Sequence, residues 1–99
     1  MAKYDVHALG GGAGLVLDCQ ADLLSDLNSR FVVPLLAKAE APRPAARLNP
    51  IFEIGNDRYV MVTQYAAAIP VRELGPRIAS LADRQWDIGN ALDMLISGF

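Results

Sequence analysis

The side chains best suited to catalysis are few in this chain. His7 and Cys19 are the only histidine and the only cysteine among its 99 residues. Nucleophilic catalysis needs Ser, Cys or Thr beside a base, which is usually histidine, and only Asp5 lies near His7 in sequence. A zinc site of the usual kind needs more His and Cys ligands than these. We therefore expect no catalytic residue, no metal and no cofactor, and we expect Cys19 to be a buried, reduced thiol.

The glycine-rich segment 10–14 is the one motif similar to a phosphate-binding loop. Such a loop must open a helix, because the N terminus of the helix holds the anion. Here the segment precedes Leu15-Val16-Leu17, which favours a strand, and no Gly-Lys-Ser/Thr follows it. The segment is therefore predicted to be a hairpin loop between two strands.

The charge and the apolar content limit the classes of partner. Nine basic and eleven acidic residues give a net charge of −2, whereas proteins that hold nucleic acid by its phosphates are basic. We therefore expect no direct contact with nucleic acid. Apolar residues make up 53% of the chain, more than is usual for a soluble domain, so we expect a homodimer interface to cover part of the excess.

No segment is expected to insert into a membrane. The longest apolar run, residues 31–37, is far shorter than the roughly 20 residues that span a bilayer. Residues 1–7 contain no apolar core of the kind that signal peptides have. The chain is therefore expected to be a cytoplasmic protein of one domain, residues 1–99.

The apolar periodicity predicts an α+β fold that is mainly β. Strands are predicted at residues 4–8, 15–20, 31–37, 51–54, 58–63 and within 65–71, with loops at 21–30 and 41–50. Gly55-Asn56-Asp57 is predicted to be a three-residue hairpin turn. Because Pro34 cannot donate a hydrogen bond, it is predicted at a bulge or a free edge. This pattern indicates an antiparallel sheet of about five strands.

Only the last segment is convincingly helical. Ser80 can cap this helix, and Asp83 follows three residues later. One apolar stripe is expected to face the sheet, and its members are Leu81, Ile88, Ala91, Leu92, Leu95 and Phe99. The opposite, outer stripe is expected to face away from the sheet, and its members are Trp86, Asn90, Asp93 and Ser97.

The order and spacing of many residues resemble the CcdB family of toxins. The residues that carry the resemblance are Asp18, Gln20, Asp22, Arg30, Pro34-Leu35, Ile54-Gly55, Pro70-Val71, Leu81, Arg84, Asp87-Ile88, Asn90-Ala91 and Gly98. They extend over almost the whole chain, although no single motif among them is specific. The resemblance implies a dimer in which an antiparallel sheet, a small second sheet and a C-terminal helix near the two-fold axis form the fold shared with Kid and MazF.

The resemblance also implies a function. Toxins of this family bind the A subunit of DNA gyrase and trap its cleaved-DNA complex, and a CcdA-like antitoxin removes them. No substrate is turned over, so the chain is expected not to be an enzyme. The residues expected to contact the target are Leu23, Leu24, Trp86, Asn90, Asp93, Ile96, Ser97, Gly98 and Phe99.

Two of these positions depart from the family, which has Trp where this chain has Ser97 and Asn where it has Asp93. Trp86, on the same stripe, is either a relocated recognition anchor or a packing residue under a loop or against the second subunit. Three hypotheses therefore stay open. The chain is a gyrase-inhibiting toxin, a protein of the same fold with another target or no toxicity, or an endoribonuclease toxin of the Kid/MazF kind.

Overall fold

Seven strands and one α-helix form the framework of residues 2–12 and 14–98, which the computed structural model describes. The elements are β1 (Asp5–Leu9), β2 (Leu15–Asp18), β3 (Ser29–Ala37), β4 (Ile51–Ile54), β5 (Asp57–Met61), β6 (Ala67–Pro70), β7 (Leu74–Ser80) and α1 (Gln85–Ser97). Short 3-10 turns connect several of them. Within these residues, no helix is long and apolar enough to cross a membrane.

All strand pairs are antiparallel, and the order across the sheet is β4-β5-β3-β2-β1-β7, with β6 paired to β3 next to β5. The predicted fold class is thereby confirmed. About five strands and a separate small sheet were expected, whereas the structure joins seven strands into one hydrogen-bonded sheet. The sheet curls, so that the free edge of β4 and the end of β7 line one hollow of about 450 Å³.

The sequence did not predict β7, because Gly75 and Pro76 interrupt its apolar pattern. The strand lies at an edge of the sheet, where proline removes no ladder bond. A Cβ at Gly75 would lie only 2.7 Å from the carbonyl oxygen of Ala8. Gly75, one of the two residues that argue against a strand, is therefore the residue that lets β7 lie close along β1.

Pro34 was predicted at a bulge or a free edge, but it lies in the central strand β3. Its carbonyl accepts a hydrogen bond from the Val62 N–H at 3.0 Å. This is the point where β3 changes its partner, from β6 (last paired at Val32) to β5 (first paired at Leu35). Since the N–H and C=O of a residue in an antiparallel pair point to the same neighbour, the nitrogen of Pro34 faces the gap between β6 and β5.

The hairpin of β4 and β5 is confirmed, but its turn has two residues instead of the predicted three. Ile54 pairs with Asp57, which leaves only Gly55 and Asn56 in the turn. Gly55 has a φ of +64°. A positive φ at the first central residue is what a II′ turn requires, and glycine adopts it without strain.

The core lies between the curled sheet and α1. Its buried apolar members are Val6, Leu17, Cys19, Val33, Leu35, Phe52, Met61, Leu81, Ile88 and Ala91. Ile88 and Ala91 confirm the inner stripe of the helix, whereas Leu81 is buried but precedes α1. Leu95 was expected there too, but it is 41% exposed because the last turns of α1 extend beyond the core. Phe99 lies outside the described residues.

The helix starts later than Ser80 had suggested. The Oγ of Ser80 accepts a hydrogen bond from the Ala82 N–H at 3.3 Å. Ala82 opens the 3-10 turn Ala82–Arg84, whose N-cap is Leu81, and α1 begins only at Gln85, so Ser80 does not cap the helix. At the other end, Gly98 adopts a φ of +79° and its N–H bonds the Met94 carbonyl at 3.0 Å, which ends the helix.

Candidate functional site

The outer stripe of α1 faces away from the core, as predicted. The Trp86 side chain is 79% exposed, and Asn90, Asp93 and Ser97 are exposed as well. Trp86 therefore does not pack beneath a loop in the described part of the chain. The first three members of the stripe line a hollow of about 240 Å³, which we call the aromatic hollow; its full lining is Tyr4, Gln85, Trp86, Gly89, Asn90 and Asp93.

Tyr4 was not predicted as a site residue, yet it forms one wall of the aromatic hollow. Its N–H donates to the Asp18 carbonyl at 2.7 Å, and its carbonyl accepts from the Leu81 N–H at 2.8 Å. These two bonds hold Tyr4 at a φ of +76°, which is uncommon for a residue other than glycine. A positive φ at a tyrosine has no signature in the sequence pattern, so the position of the Tyr4 ring beside the helix could not be predicted.

Residues 22–27, which we call the apolar turn, carry the second group of predicted contact residues. Asp22–Leu24 form a 3-10 turn. Leu23 is 94% exposed, and Leu24 and Leu27 are about half exposed. Single exposed apolar residues are ordinary, but three within one turn form an apolar patch of the kind that marks contact sites.

Gln20 bonds the middle of the apolar turn and the start of β3, which follows the turn. Its Nε2 donates to the Leu24 carbonyl at 3.0 Å and to the Ser29 carbonyl at 3.1 Å. Its Oε1 accepts a hydrogen bond from the Phe31 N–H at 2.9 Å. Because Gln20 is only 8% exposed, water competes little for these bonds. The residue therefore holds the segment in one conformation, which the sequence did not indicate.

A buried ion pair between Asp18 and Arg30 contacts the backbone of Gln20. Arg30 Nη2 lies 3.5 Å from Asp18 Oδ2, and both side chains are almost completely buried. The other carboxylate oxygen of Asp18 accepts the Gln20 N–H at 3.0 Å. Burial raises the pKa of Asp18 and outweighs the opposing effects of the Gln20 hydrogen bond and the Arg30 charge.

The loop predicted at 21–30 is shorter in the structure, because Ser29 and Arg30 belong to β3.

The N-terminal segment connects the apolar turn to the helix. The N–H of Lys3 donates to Asp22 Oδ1 at 2.7 Å, and the next residue, Tyr4, lines the aromatic hollow beside Trp86. The structure thus joins the two groups of predicted contact residues, which are about sixty positions apart in sequence, through Lys3 and Tyr4, which were not predicted.

The remaining predicted contact residues continue along the helix toward its end. Ile96 is 75% exposed, and Ser97 and Gly98 are exposed as well. Ser97 lies one helical turn beyond Asp93, on the same stripe. Ile96, Ser97 and Gly98 do not line the aromatic hollow, and Phe99 lies outside the described residues.

The only histidine and the only cysteine, His7 and Cys19, are both buried. His7 is 4% exposed, and its Nδ1 lies 3.1 Å from the Gly75 carbonyl oxygen. Cys19 is a buried free cysteine, as predicted, and burial raises the pKa of its thiol to about 12. It is therefore protonated at neutral pH. Within residues 2–12 and 14–98, no three His, Cys, Asp or Glu side chains are grouped so that they could hold a metal ion.

Comparison with known proteins identifies one family and one fold. The family model described as "CcdB protein" matches residues 3–98. A solved structure described as an endoribonuclease in complex with its cognate antitoxin, from Mycobacterial species, superposes with a TM-score of 0.77. The match covers 95% of this chain and 92% of that chain at 16% sequence identity. At this identity, the likeness establishes a shared fold.

Proposed function

The chain belongs to the CcdB family, and on this premise we propose that it is the toxin of a type II toxin–antitoxin pair and inhibits DNA gyrase. In this proposal it binds the A subunit and traps the complex in which the DNA is cleaved. The observation that carries the proposal is the apolar turn, where Leu23 is 94% exposed on a segment that the buried Gln20 holds in place. Covering an exposed apolar side chain with a partner lowers the free energy of the complex, and a turn that is already held in place loses little entropy on binding.

We infer that the protein acts by binding and not by catalysis. The only histidine, His7, is buried, and one of its ring nitrogens already faces the Gly75 carbonyl. The only cysteine carries a thiol whose pKa of about 12 disfavours the nucleophilic thiolate. These two observations support a mechanism in which the protein inhibits its target by binding it through a complementary surface, and not through a reacting side chain.

The proposed contact surface has an apolar part and a mixed part. The apolar turn supplies Leu23 and Leu24, and the end of α1 supplies Ile96. The outer stripe adds Trp86, with the polar groups of Asn90 and Asp93 beside it. Large aromatic side chains commonly contribute about 2 kcal/mol or more to an interface. Trp86 is therefore the proposed anchor, in place of the family's aromatic at the position of Ser97.

Two further partners belong to the proposal. A second copy of the chain is expected to form a homodimer, with the C-terminal helices near the two-fold axis, where the exposed Leu95 can be covered. A CcdA-like antitoxin is expected to bind through a disordered tail that folds on the toxin. The solved relative is likewise described in complex with its cognate antitoxin, which supports such a partner here.

Two alternatives remain as second candidates. The departures at Asp93 and Ser97 favour a protein of the same fold with a different target, or one that has lost its toxicity. The shared fold with an endoribonuclease favours an RNA-cleaving toxin. That activity would need a general base other than the buried His7, such as a carboxylate.

The deciding experiment expresses the chain in bacteria, alone and together with a small reading frame that we expect to lie immediately upstream of its gene and to encode the antitoxin. Growth arrest that the upstream frame relieves is expected. Purified protein, incubated with gyrase and DNA, should then produce cleaved-DNA complexes, whereas loss of RNA in a parallel assay would favour the ribonuclease. Leu23→Asp should abolish the effect, while Ile78→Asp, at a half-exposed apolar residue of β7, should not. Normal growth with abundant folded protein would contradict the toxin proposal.

A further inference from the structure

Strand β4 leaves one of its two edges open. It pairs with β5 alone, and no strand lies beyond it among residues 2–12 and 14–98. The strands β6 and β7 also have an open edge, but each contains a proline, Pro70 and Pro76 respectively. Proline on an edge discourages pairing with another chain. Because Ile51–Ile54 contains no proline, β4 is the open edge on which a further strand meets no such obstacle.

The backbone of β4 directs hydrogen-bonding groups toward this edge. The Met61 N–H donates to the Pro50 carbonyl at 2.9 Å. Bonded and non-bonded pairs alternate along an antiparallel ladder, so Phe52 bonds to β5 while Ile51 and Glu53 do not. The N–H and C=O groups of Ile51 and Glu53 therefore point away from β5. These alternate residues are the ones with which an added strand can pair.

The hollow of about 450 Å³ beside β4 provides room for such a strand. Ile51 and Glu53 lie on one side of it, and residues 80–84 contribute the other side. Phe52 and Leu81 also line the hollow, and both are apolar and almost completely buried. A segment that pairs with β4 can therefore place an apolar side chain against apolar neighbours.

The charge next to this hollow indicates which segment fits. A second hollow, of about 320 Å³, shares Ile51 and Arg84 with the first and also contains Arg47 and Asp87. Arg84 is already paired with Asp87 at 2.8 Å. Arg47 has no ion-pair partner among residues 2–12 and 14–98, and the buried Asn49 holds its loop in place. The uncompensated charge of this hollow is positive, so it attracts a carboxylate.

We propose that the open edge of β4 binds an extended, acidic segment of a partner protein as an additional strand. The segment pairs with the backbone of Ile51 and Glu53, places an apolar side chain near Phe52 and Leu81, and pairs a carboxylate with Arg47. In this mode of recognition the backbone bonds supply affinity, and the side chains supply specificity. The proposal does not rest on toxicity or on gyrase, and so it stands apart from the proposed function.

The test uses the full chain and a short probe, acetyl-Thr-Glu-Val-Thr-Val-Thr-amide. Saturable binding is expected in a titration followed by NMR. Hydrogen exchange of the Ile51 and Glu53 amides should slow by about tenfold near saturation, because a bonded amide exchanges only while the bond is open. The Phe52 and Ile54 amides, which already bond to β5, should change little. A probe with methylated backbone nitrogens has the same side chains but no N–H donors, and it should not bind.

Variants separate the proposed pairing from a general charge effect. Arg47→Gln should weaken binding of the probe about fivefold, whereas Arg43→Gln, at an exposed arginine of the same loop, should leave it within about twofold. A probe with Gln in place of Glu should bind the unmodified chain about fivefold more weakly, and Arg47→Gln should not weaken it further. Glu53→Pro removes an N–H that points to the open edge without removing a bond to β5, and it should also weaken binding.

Four results would overturn the proposal. The first is the absence of saturable binding, and the second is equal binding of the methylated probe. The third is an equal loss in Arg47→Gln and Arg43→Gln. The fourth is protection of the Ile51 and Glu53 amides without any probe, rising with protein concentration, which would show that a second copy of the chain covers this edge. The methylated probe keeps the test decisive if Glu53→Pro does not fold, and growth on expression tests the proposed function separately.

Discussion

The side-chain nitrogen of Gln20 lies 3.0 Å from the carbonyl oxygen of Leu24, so Gln20, the second residue after β2, holds the most exposed apolar segment in place. Gln20→Met keeps the approximate volume of the side chain but removes this bond and those to Ser29 and Phe31. We expect the free energy of unfolding to fall by about 1–3 kcal/mol, because buried partners lose their hydrogen bonds. Amide hydrogen exchange should become faster in residues 22–28, and target binding should weaken.

A matched control exists in the loop before β4. Asn49 is also a buried amide, and it bonds the Ala45 N–H and the Met61 carbonyl, each at 3.0 Å. Asn49→Leu should loosen residues 41–50 and leave the apolar turn protected. If both variants reduce target binding equally, Gln20 acts through stability alone and does not position the turn.

The Asp18–Arg30 pair beneath Gln20 should be more sensitive still. Arg30→Met leaves the Asp18 carboxylate buried without its partner, and breaking a buried pair in this way costs about 3–5 kcal/mol. Asp18→Asn combined with Arg30→Met should recover part of that loss, because no uncompensated charge then remains. Urea unfolding of the single and double variants measures the coupling, and a double variant no more stable than Arg30→Met would contradict this account.

The pH dependence of stability should show the contribution of Asp5. Burial of this carboxyl opposes ionisation, but hydrogen bonds from Arg77 and Ala2, together with the Arg77 and His7 charges, prevail and lower its pKa below 3.8. A lowered folded-state pKa stabilises the protein above the unfolded pKa, and this stability is lost as the pH falls through the folded pKa. The stability advantage of the unmodified chain over Asp5→Asn should therefore be largest above pH 3.8 and vanish at lower pH.

Unfolding by urea at several pH values measures this difference. Asp57→Asn, at an exposed residue of β5, is the control, and it should differ little from the unmodified chain at any pH. A difference between the chain and Asp5→Asn that stays constant across the range would show that Asp5 acts through packing and not through its charge.

The elements that sequence patterns predicted are those whose signals are local. The β4–β5 hairpin and the inner stripe at Ile88 and Ala91 follow from alternation, turn residues and helical spacing. By contrast, β7 depends on its pairing with β1, about seventy residues away in sequence, and its glycine and proline obscure the strand pattern. Pro34 was misplaced for the same reason, because only the arrangement of β5 and β6 reveals a gap opposite it.

The candidate site shows the same division. The outward orientation of Trp86 could be predicted, because it depends only on the helical spacing of its own segment, whereas Leu23 was expected at the contact surface from the family resemblance. Tyr4 and Gln20 were missed as site residues. The position of Tyr4 depends on a positive φ that hydrogen bonds to the backbone of Asp18 and Leu81 maintain. The role of Gln20 depends on the apolar turn folding back so that the Leu24 carbonyl reaches its side chain. Such placements arise from tertiary contacts, and a single sequence carries no periodic signal for them.

Trp86→Ala should separate recognition from folding. Because the side chain is 79% exposed, its removal should change the free energy of unfolding by no more than about 0.5 kcal/mol. Toxicity and target binding should nevertheless fall. Phe52→Ala is the contrasting control, since Phe52 is 1% exposed and a loss of about 3–5 kcal/mol is expected there. A large loss of stability in Trp86→Ala, measured at a protein concentration at which the proposed dimer forms, would instead place the ring in the subunit interface.

Ser97→Trp tests whether gyrase is the target. The change puts the aromatic residue of the family at the exposed end of the outer stripe. Because Ser97 is exposed, the fold of the described chain does not depend on its side chain. A buried aromatic anchor is worth about 2 kcal/mol or more, which corresponds to roughly a thirtyfold gain in affinity. The protein concentration that yields a given amount of cleaved DNA with purified gyrase should therefore fall by about this factor.

Two controls make the outcome of Ser97→Trp specific. Ser97→Ala should leave the yield of cleaved DNA unchanged, because a lone exposed hydroxyl contributes little to binding. Ala39→Trp, at an exposed residue in the turn after β3, adds the same ring elsewhere and should have no effect. If Ser97→Trp raises cleavage no more than Ala39→Trp does, the end of α1 does not contact gyrase in the family's manner, and the different aromatic anchor, Trp86, indicates a different target.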